Sequence, residues 1–215
     1  MYEPPHHREE DLATLHALID AHPLGLLVSN GPRGPVANAV PFLIDPAAAP
    51  KGRLSAHLAR ANPHWQMLAA APDDPVLIVF QGTNSYITPS WYATKRQTGK
   101  VVPTWNYVMV QARGRARIIE DRDWLARQIG ALTERHEACR AAPWAVADAP
   151  ADFVAVQLRA IVGVEIDIDE IAGKWKVSQN RPAADRAGVA EGLEESGAAD
   201  ALAMAELVRR HGGAG

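Results

Sequence analysis

The segment TWNYVMVQARGRARIIE, residues 104–120, limits the fold more than any other part of the chain. It is long and rich in residues that favour strands, and it predicts a single bent strand. Gly114 in its middle marks a bulge or a close backbone approach. Other strand signals surround it. LGLLVSN and VANAVPFLI flank the turn Gly31–Pro35 and predict a hairpin. RLSAHLA predicts a third strand, VLIVFQG a central one and SYITP a short one; AIVGVEIDIDEI alternates as a further strand. That makes six or seven strands.

Helical patterns are interspersed. They cover residues 8–21, about 62–70, 121–141, 152–158, and two polar helices near 182–195 and 198–211. Asn62 and Pro63 suit a helix start, and Gly192 and Gly197 punctuate the last pair. Pro46–Gly52 and Ser90–Val102 read as loops. The strict βα alternation of a dinucleotide fold is missing, as are G-x-G-x-x-G and a P-loop. The pattern predicts an α+β barrel with peripheral helices, one domain over residues 1–215 with a helical C-terminal segment at about 182–211.

Composition narrows the function classes. A net charge of -3 gives no bulk attraction to nucleic acid or anionic lipid. The single cysteine, Cys139, rules out an internal disulfide and fits a reducing compartment. The start MYEPPHHREED lacks the basic, apolar pattern of a signal peptide, and no run approaches the length of a membrane span. A cytoplasmic location is the expectation.

Three regions carry candidate chemistry. Between Gly82 and Gly114 the chain crowds Tyr86, Trp91, Tyr92, Trp105 and Tyr107, although only 6% of it is aromatic. Rings with polar tips suit a planar ligand or a wet interface; they also serve as ordinary core. His57-Leu58-Ala59-Arg60-Ala61-Asn62 lies at a strand-to-helix junction, where amide groups and a guanidinium suit phosphate. Asn62 alternatively only caps the helix. Gly173–Arg181 gathers Lys174, Lys176, Ser178, Gln179, Asn180 and Arg181, which could grip an anion or the polar edge of a ring, or form a solvated turn. Arg113, Arg115 and Arg117 share one strand face, either a phosphate stripe or a solvated row. The histidines match no standard metal-ligand spacing, and nothing near Cys139 activates a thiolate.

The motifs MYEPPH, HLARANPHW (57–65), VLIVFQGTNSYITPSWYATK (76–95), GKVVPTWNYVMVQARG (99–114) and GKWKVSQNRPAADRAGVAEGL (173–193) occur in this order. Through them the whole chain resembles the PaiB family of FMN-binding negative transcriptional regulators. The family usually has an aromatic near position 7, where this chain has His7. The resemblance implies a split β-barrel of the pyridoxamine-phosphate-oxidase type, a homodimer, and FMN in a cleft between subunits. It implies that His57, Arg60 and Asn62 hold the phosphate and ribityl chain. Trp91, Tyr92, Thr104, Trp105, Asn106, Lys176, Ser178, Gln179 and Asn180 then line the ring side, in part from the partner subunit.

Three functions compete on this basis. The first is a flavin-binding repressor that contacts DNA. Its weak point is the helix PAADRAGVAEGLEE, which carries Glu191, Glu194 and Glu195 where a recognition helix needs positive charge. The second is a flavin-dependent oxidoreductase or flavin reductase, for which no acid or base stands out. The third is a haem-binding split barrel, which requires an axial ligand such as histidine.

Overall fold

Local chemistry sets where each element starts and stops. The computed structural model describes residues 1–48 and 50–211. Arg8–Glu9 forms a two-residue strand (β1), and helix α1 covers Leu12–Ala21. The expected helix from residue 8 thus begins four residues late. Asp11 Oδ2 accepts from the Thr14 amide and hydroxyl at 2.8 and 2.6 Å, which caps the helix there. Arg8 and Glu9 instead pair with Lys174 and Gly173.

Leu24–Gly31 (β2) and Gly34–Pro41 (β3) form the predicted hairpin, with Gly31 opposite Gly34. Gly34 has φ +112°, a conformation that favours glycine at this tight reversal. The expected strand 36–44 breaks at Phe42, whose N–H donates to the Pro23 carbonyl at 2.8 Å. Leu43–Asp45 (β4) then pairs with Arg53–Ala59 (β5). The loop expected over Pro46–Gly52 includes Ala49, and the one-domain expectation includes Gly212–Gly215; these lie outside the described residues.

Helix α2 spans His64–Ala70. Two expected strands, 76–82 and 85–89, are one 13-residue strand, β6 (Pro75–Ile87). Burial alternates through Val76, Ile78, Phe80 and Gly82, shifts by one residue at Thr83, which is also buried, and the strand continues through the polar Thr83–Ser85 to Ile87. The segment expected as a loop after Ser90 holds a 3-10 turn, Pro89–Trp91, and helix α3, Ala93–Thr98. Thr88 caps the turn, and Gly99 in the left-handed region closes the helix.

Thr104–Ile119 is one 16-residue strand, β7, as expected. A Cβ on Gly114 would sit 2.0 Å from the Asp167 carbonyl oxygen, so the glycine marks a close approach. Helix α4, Arg122–Glu137, is capped by Asp121, which accepts from the Trp124 amide at 2.7 Å. It stops short of residue 141. Glu137 accepts from the Trp144 amide and pairs with Arg140, which holds the chain as it leaves the helix. After a 3-10 turn at Val146–Asp148 come α5 (Ala151–Arg159) and β8 (Ile161–Lys176). The latter runs five residues beyond the expected end because β1 pairs with its last part. Helices α6 (Ala183–Ser196) and α7 (Ala199–His211) end the described chain, separated by Gly197 at φ +67°.

Eight strands occur among the described residues. The sheet order is β3-β2-β6-β7-β8-β5-β4, with β1 on β8. The chain divides into two compact units. One comprises Met1–Leu18, Gln81–Val110 and the chain from Ala172 onward; the other comprises Ile19–Phe80 and Gln111–Ile171. The first unit buries Ile87, Val108, Val189, Leu193, Met204 and Val208. The second buries Leu27, Leu54, Ile78, Val164 and Ile166, with Phe42 and Phe80 edge to face at 5.8 Å. No helix among the described residues is long and apolar enough to cross a membrane.

Candidate functional site

Three of the predicted residues, His57, Arg60 and Asn62, fall in the second unit. Alternation along β5 buries Leu54, Ala56 and Leu58 and turns His57 toward α4. His57 Nδ1 lies 2.8 Å from Gln128 Oε1. A carbonyl oxygen only accepts, so Nδ1 donates this bond. Gln128 is buried, and its Nε2 has no partner. It also lines a cavity of about 240 Å³ with Arg53, Ser55, Trp124 and Arg127.

Arg60 is exposed and well anchored. Its Nη1 donates to Glu120 at 2.7 Å and its Nε to the Arg159 carbonyl at 3.2 Å. Its guanidinium lies 5.7 Å from the Trp65 ring centre, and the Trp65 indole donates to the Arg60 carbonyl at 2.9 Å. Asn62 Oδ1 accepts from the His64 amide at 3.0 Å, so this side chain caps α2. His64 is buried between Asn38, which donates to Nδ1 at 2.9 Å, and Ser29, 2.8 Å from Nε2. Burial holds its pKa below the ordinary value.

The arginine row on β7 meets an acidic row on β8. Arg115 pairs with Asp169, and Arg117 with Glu165 and Asp167. Arg53 on β5 joins Asp167 at 2.5 Å. Arg115 and Arg117 are thereby paired with carboxylates, as ion pairs in place of a phosphate stripe, while Arg113 donates to Gln111 at 3.4 Å.

The other nine residues fall in the first unit. Trp91 and Tyr92 are fixed by α6. A Cβ on Gly188 would meet the Trp91 carbonyl at 2.1 Å, and one on Gly192 would meet its indole at 2.2 Å. Buried Asp185 accepts from the Thr94 amide and hydroxyl at 2.8 and 2.9 Å, pinning the start of α3. Tyr92 is fully buried with an unpartnered hydroxyl, and the Arg181 guanidinium lies over its ring at 5.0 Å. Burial raises its phenol pKa.

Thr104, Trp105 and Lys176 form one group, in which Lys176 Nζ donates to the Thr104 hydroxyl and the Trp105 carbonyl. The Trp105 indole is half exposed and donates to Asn84 at 3.1 Å. Asn106 is buried and donates to Ser178 Oγ at 2.9 Å. Ser178 adopts φ +63°, a left-handed conformation rare for residues other than glycine. Gln179 is satisfied locally: Oε1 accepts from the Val177 amide and Nε2 donates to the Trp175 carbonyl. Asn180 is exposed.

Sequence reasoning missed Gln128, whose place in a helix says nothing about a partner 71 positions away. It also missed His7, which is buried beside the lysines of β8. The only signal for His7 is that a polar ring stands where the family has an aromatic. Cys139 is exposed and free, and the described residues hold no group of three or more metal-binding side chains.

The family described as "Putative FMN-binding domain" matches residues 1–170. An uncharacterized protein of Emericella nidulans is 35% identical over 99% of this chain and 98% of its own. The protease synthase and sporulation protein PAI 2 of Bacillus subtilis is 30% identical over 97% of this chain and 96% of its own. Among solved structures, an FAD- and heme-binding protein of Mycobacterium smegmatis superposes with a TM-score of 0.57 at 18% identity. That alignment covers 79% of this chain and 73% of the other.

Proposed function

This chain belongs to the PaiB-like family of FMN-binding domains, and from that membership we propose that it is an FMN-binding regulatory protein that works as a homodimer. Its fold is the α+β split β-barrel of the pyridoxamine-phosphate-oxidase type. The observation that carries the reading is the family match over residues 1–170.

The residues present fit a flavin. Buried Gln128 has an unfilled amide N–H beside His57, and Trp105 offers a half-exposed apolar plane. Lys176 is a cation held only by neutral acceptors. In the proposed arrangement the whole chain acts as one domain, with the flavin at the subunit interface. Arg60 supplies charge-assisted bonds to the phosphate, which requires its guanidinium to be shared with Glu120. His57 presents Nε2 as an acceptor to a ribityl hydroxyl, and Asn62 holds the backbone turn beside it. Trp91 and Trp105 flank the ring, with buried Tyr92 packed behind them. Thr104, Lys176 and Asn180 meet its polar edge, and Asn106, Ser178 and Gln179 hold the backbone beneath them through their own bonds. A bound flavin supplies one- or two-electron redox chemistry; the residues named here position it and set its surroundings.

Regulation in this account does not place α6 in a DNA groove. Its exposed face carries Glu191, Glu194 and Glu195, and Glu194 pairs with Arg209 of α7. The test is gel filtration of the purified protein mixed with excess FMN, with absorbance read at the flavin bands. The proposal expects flavin to elute with a particle of dimer size. Flavin eluting only as free ligand overturns the cofactor, and a monomeric elution overturns the interface.

A further inference from the structure

We propose that Lys174, Lys176 and His7 form a binding site for an anionic oxygen group, a carboxylate or a phosphate, carried by a small-molecule ligand. This cluster shares Lys176 with the proposed flavin site, and competition with FMN separates its failure from that of the flavin reading.

The pairing of Arg8 with Lys174 brings the N-terminal segment onto the end of β8 and sets His7 beside the two lysines. Lys174 is only 7% exposed. Its ammonium donates to the Tyr2 carbonyl at 2.9 Å and lies 5.3 Å from the ring centres of both Tyr2 and Tyr107. Lys176 is half-buried and donates to the Thr104 hydroxyl and the Trp105 carbonyl. Among the described residues no carboxylate forms an ion pair with either lysine.

Buried ammonium groups are costly without a counter-charge, and carbonyl dipoles offset only part of that cost. Each ammonium has three hydrogens, so both lysines retain donors beyond the bonds just described. His7 adds an independent sign. It is 6% exposed, and its Nδ1 has no hydrogen-bond partner. A buried polar atom left open beside two cations that lack an anion is the arrangement an incoming oxyanion completes.

The electrostatics agree. Burial, then the neighbouring His6 and Lys176, push His7 down to about 4, against a hydrogen bond with Gln179 that raises it. Burial, Lys174 and Arg181 depress Lys176. An anion at this point reverses the charge contribution at both residues.

The experiment titrates the full chain, free of flavin at pH 7, with inorganic phosphate and separately with acetate. NMR follows the His7 imidazole, identified by its loss in His7→Gln. The proposal expects a saturable shift of the His7 signal with at least one of the two anions. Lys176→Met should weaken that binding by about tenfold, the worth of one charge-assisted bond, while Lys176→Arg and Lys95→Met retain it. A wild-type titration with no saturable change overturns the proposal whether or not the variants fold, as does unchanged affinity in a folded Lys176→Met. Repeating the titration with FMN at saturation separates two sources of the anion. Persistence of the shift assigns the site to a second ligand, and its loss through competition assigns it to an anionic group of the flavin.

Discussion

His7 makes the stability of this protein depend on pH in a way that can be worked out in advance. The ring is buried, its Nδ1 is unpartnered, and its pKa is lowered from 6.5 to about 4, first by burial and then by the charges of His6 and Lys176. In the unfolded chain the same ring titrates near its ordinary value. As pH falls below about 6.5 the unfolded state takes up a proton that the folded state refuses until about 4. Stability is therefore fully present above the unfolded value, is lost as pH falls between the two, and levels off below the lower one. The full linkage is about 3 kcal/mol, of which about 2 kcal/mol is gone by about pH 5.

His64 is also depressed by burial, so the wild-type curve contains more than one histidine. A comparison with His7→Phe isolates the first. Urea denaturation followed by tryptophan fluorescence, in buffers free of phosphate and carboxylate, gives the stability of each protein at each pH. The difference between wild type and variant should move against the wild type by about 2 kcal/mol between about pH 7.5 and pH 5. A difference that stays constant over this range, or a His7 imidazole that titrates near 6.5 by NMR, refutes the reasoning.

Other perturbations test other parts of the account. Gly114→Ala puts a Cβ 2.0 Å from the Asp167 carbonyl oxygen, a backbone atom that cannot rotate away; a loss of about 3 kcal/mol in denaturant unfolding is expected. Arg60→Ala should weaken FMN by about 2 kcal/mol, whereas Glu120→Gln should free the guanidinium and tighten it. Flavin affinity unchanged in both variants removes Arg60 from the phosphate site. Arg117→Ala breaks exposed ion pairs to Glu165 and Asp167 and should cost under about 1 kcal/mol by thermal melting.

Much of the fold was legible because its signals are local. The long strand β7 and its glycine, the β2–β3 hairpin, the Asp121 cap and the Gly197 break between α6 and α7 all follow from residues close in sequence. The misreadings have non-local causes. Arg8 and Glu9 leave the first helix because β8 offers them backbone partners more than 160 residues away. The segment after Ser90 folds into a turn and a helix because Asp185 and the glycines of α6 hold it. The candidate site divides in the same way. Lys176 was visible in a dense polar motif, and Asn62 as a helix cap. The ties that give His57 and His7 their character come from Gln128 and from the lysines of β8, which no spacing rule connects to them.

The central claim is that this chain binds FMN, and an equilibrium titration of flavin fluorescence tests it most directly. Protein is added to FMN and, in parallel, to riboflavin, which lacks the phosphate. Saturable quenching of FMN at one flavin per chain is expected, with markedly weaker binding of riboflavin, which cannot take up the proposed Arg60–phosphate bonds. FMN fluorescence that does not respond to added protein shows that the chain does not bind FMN.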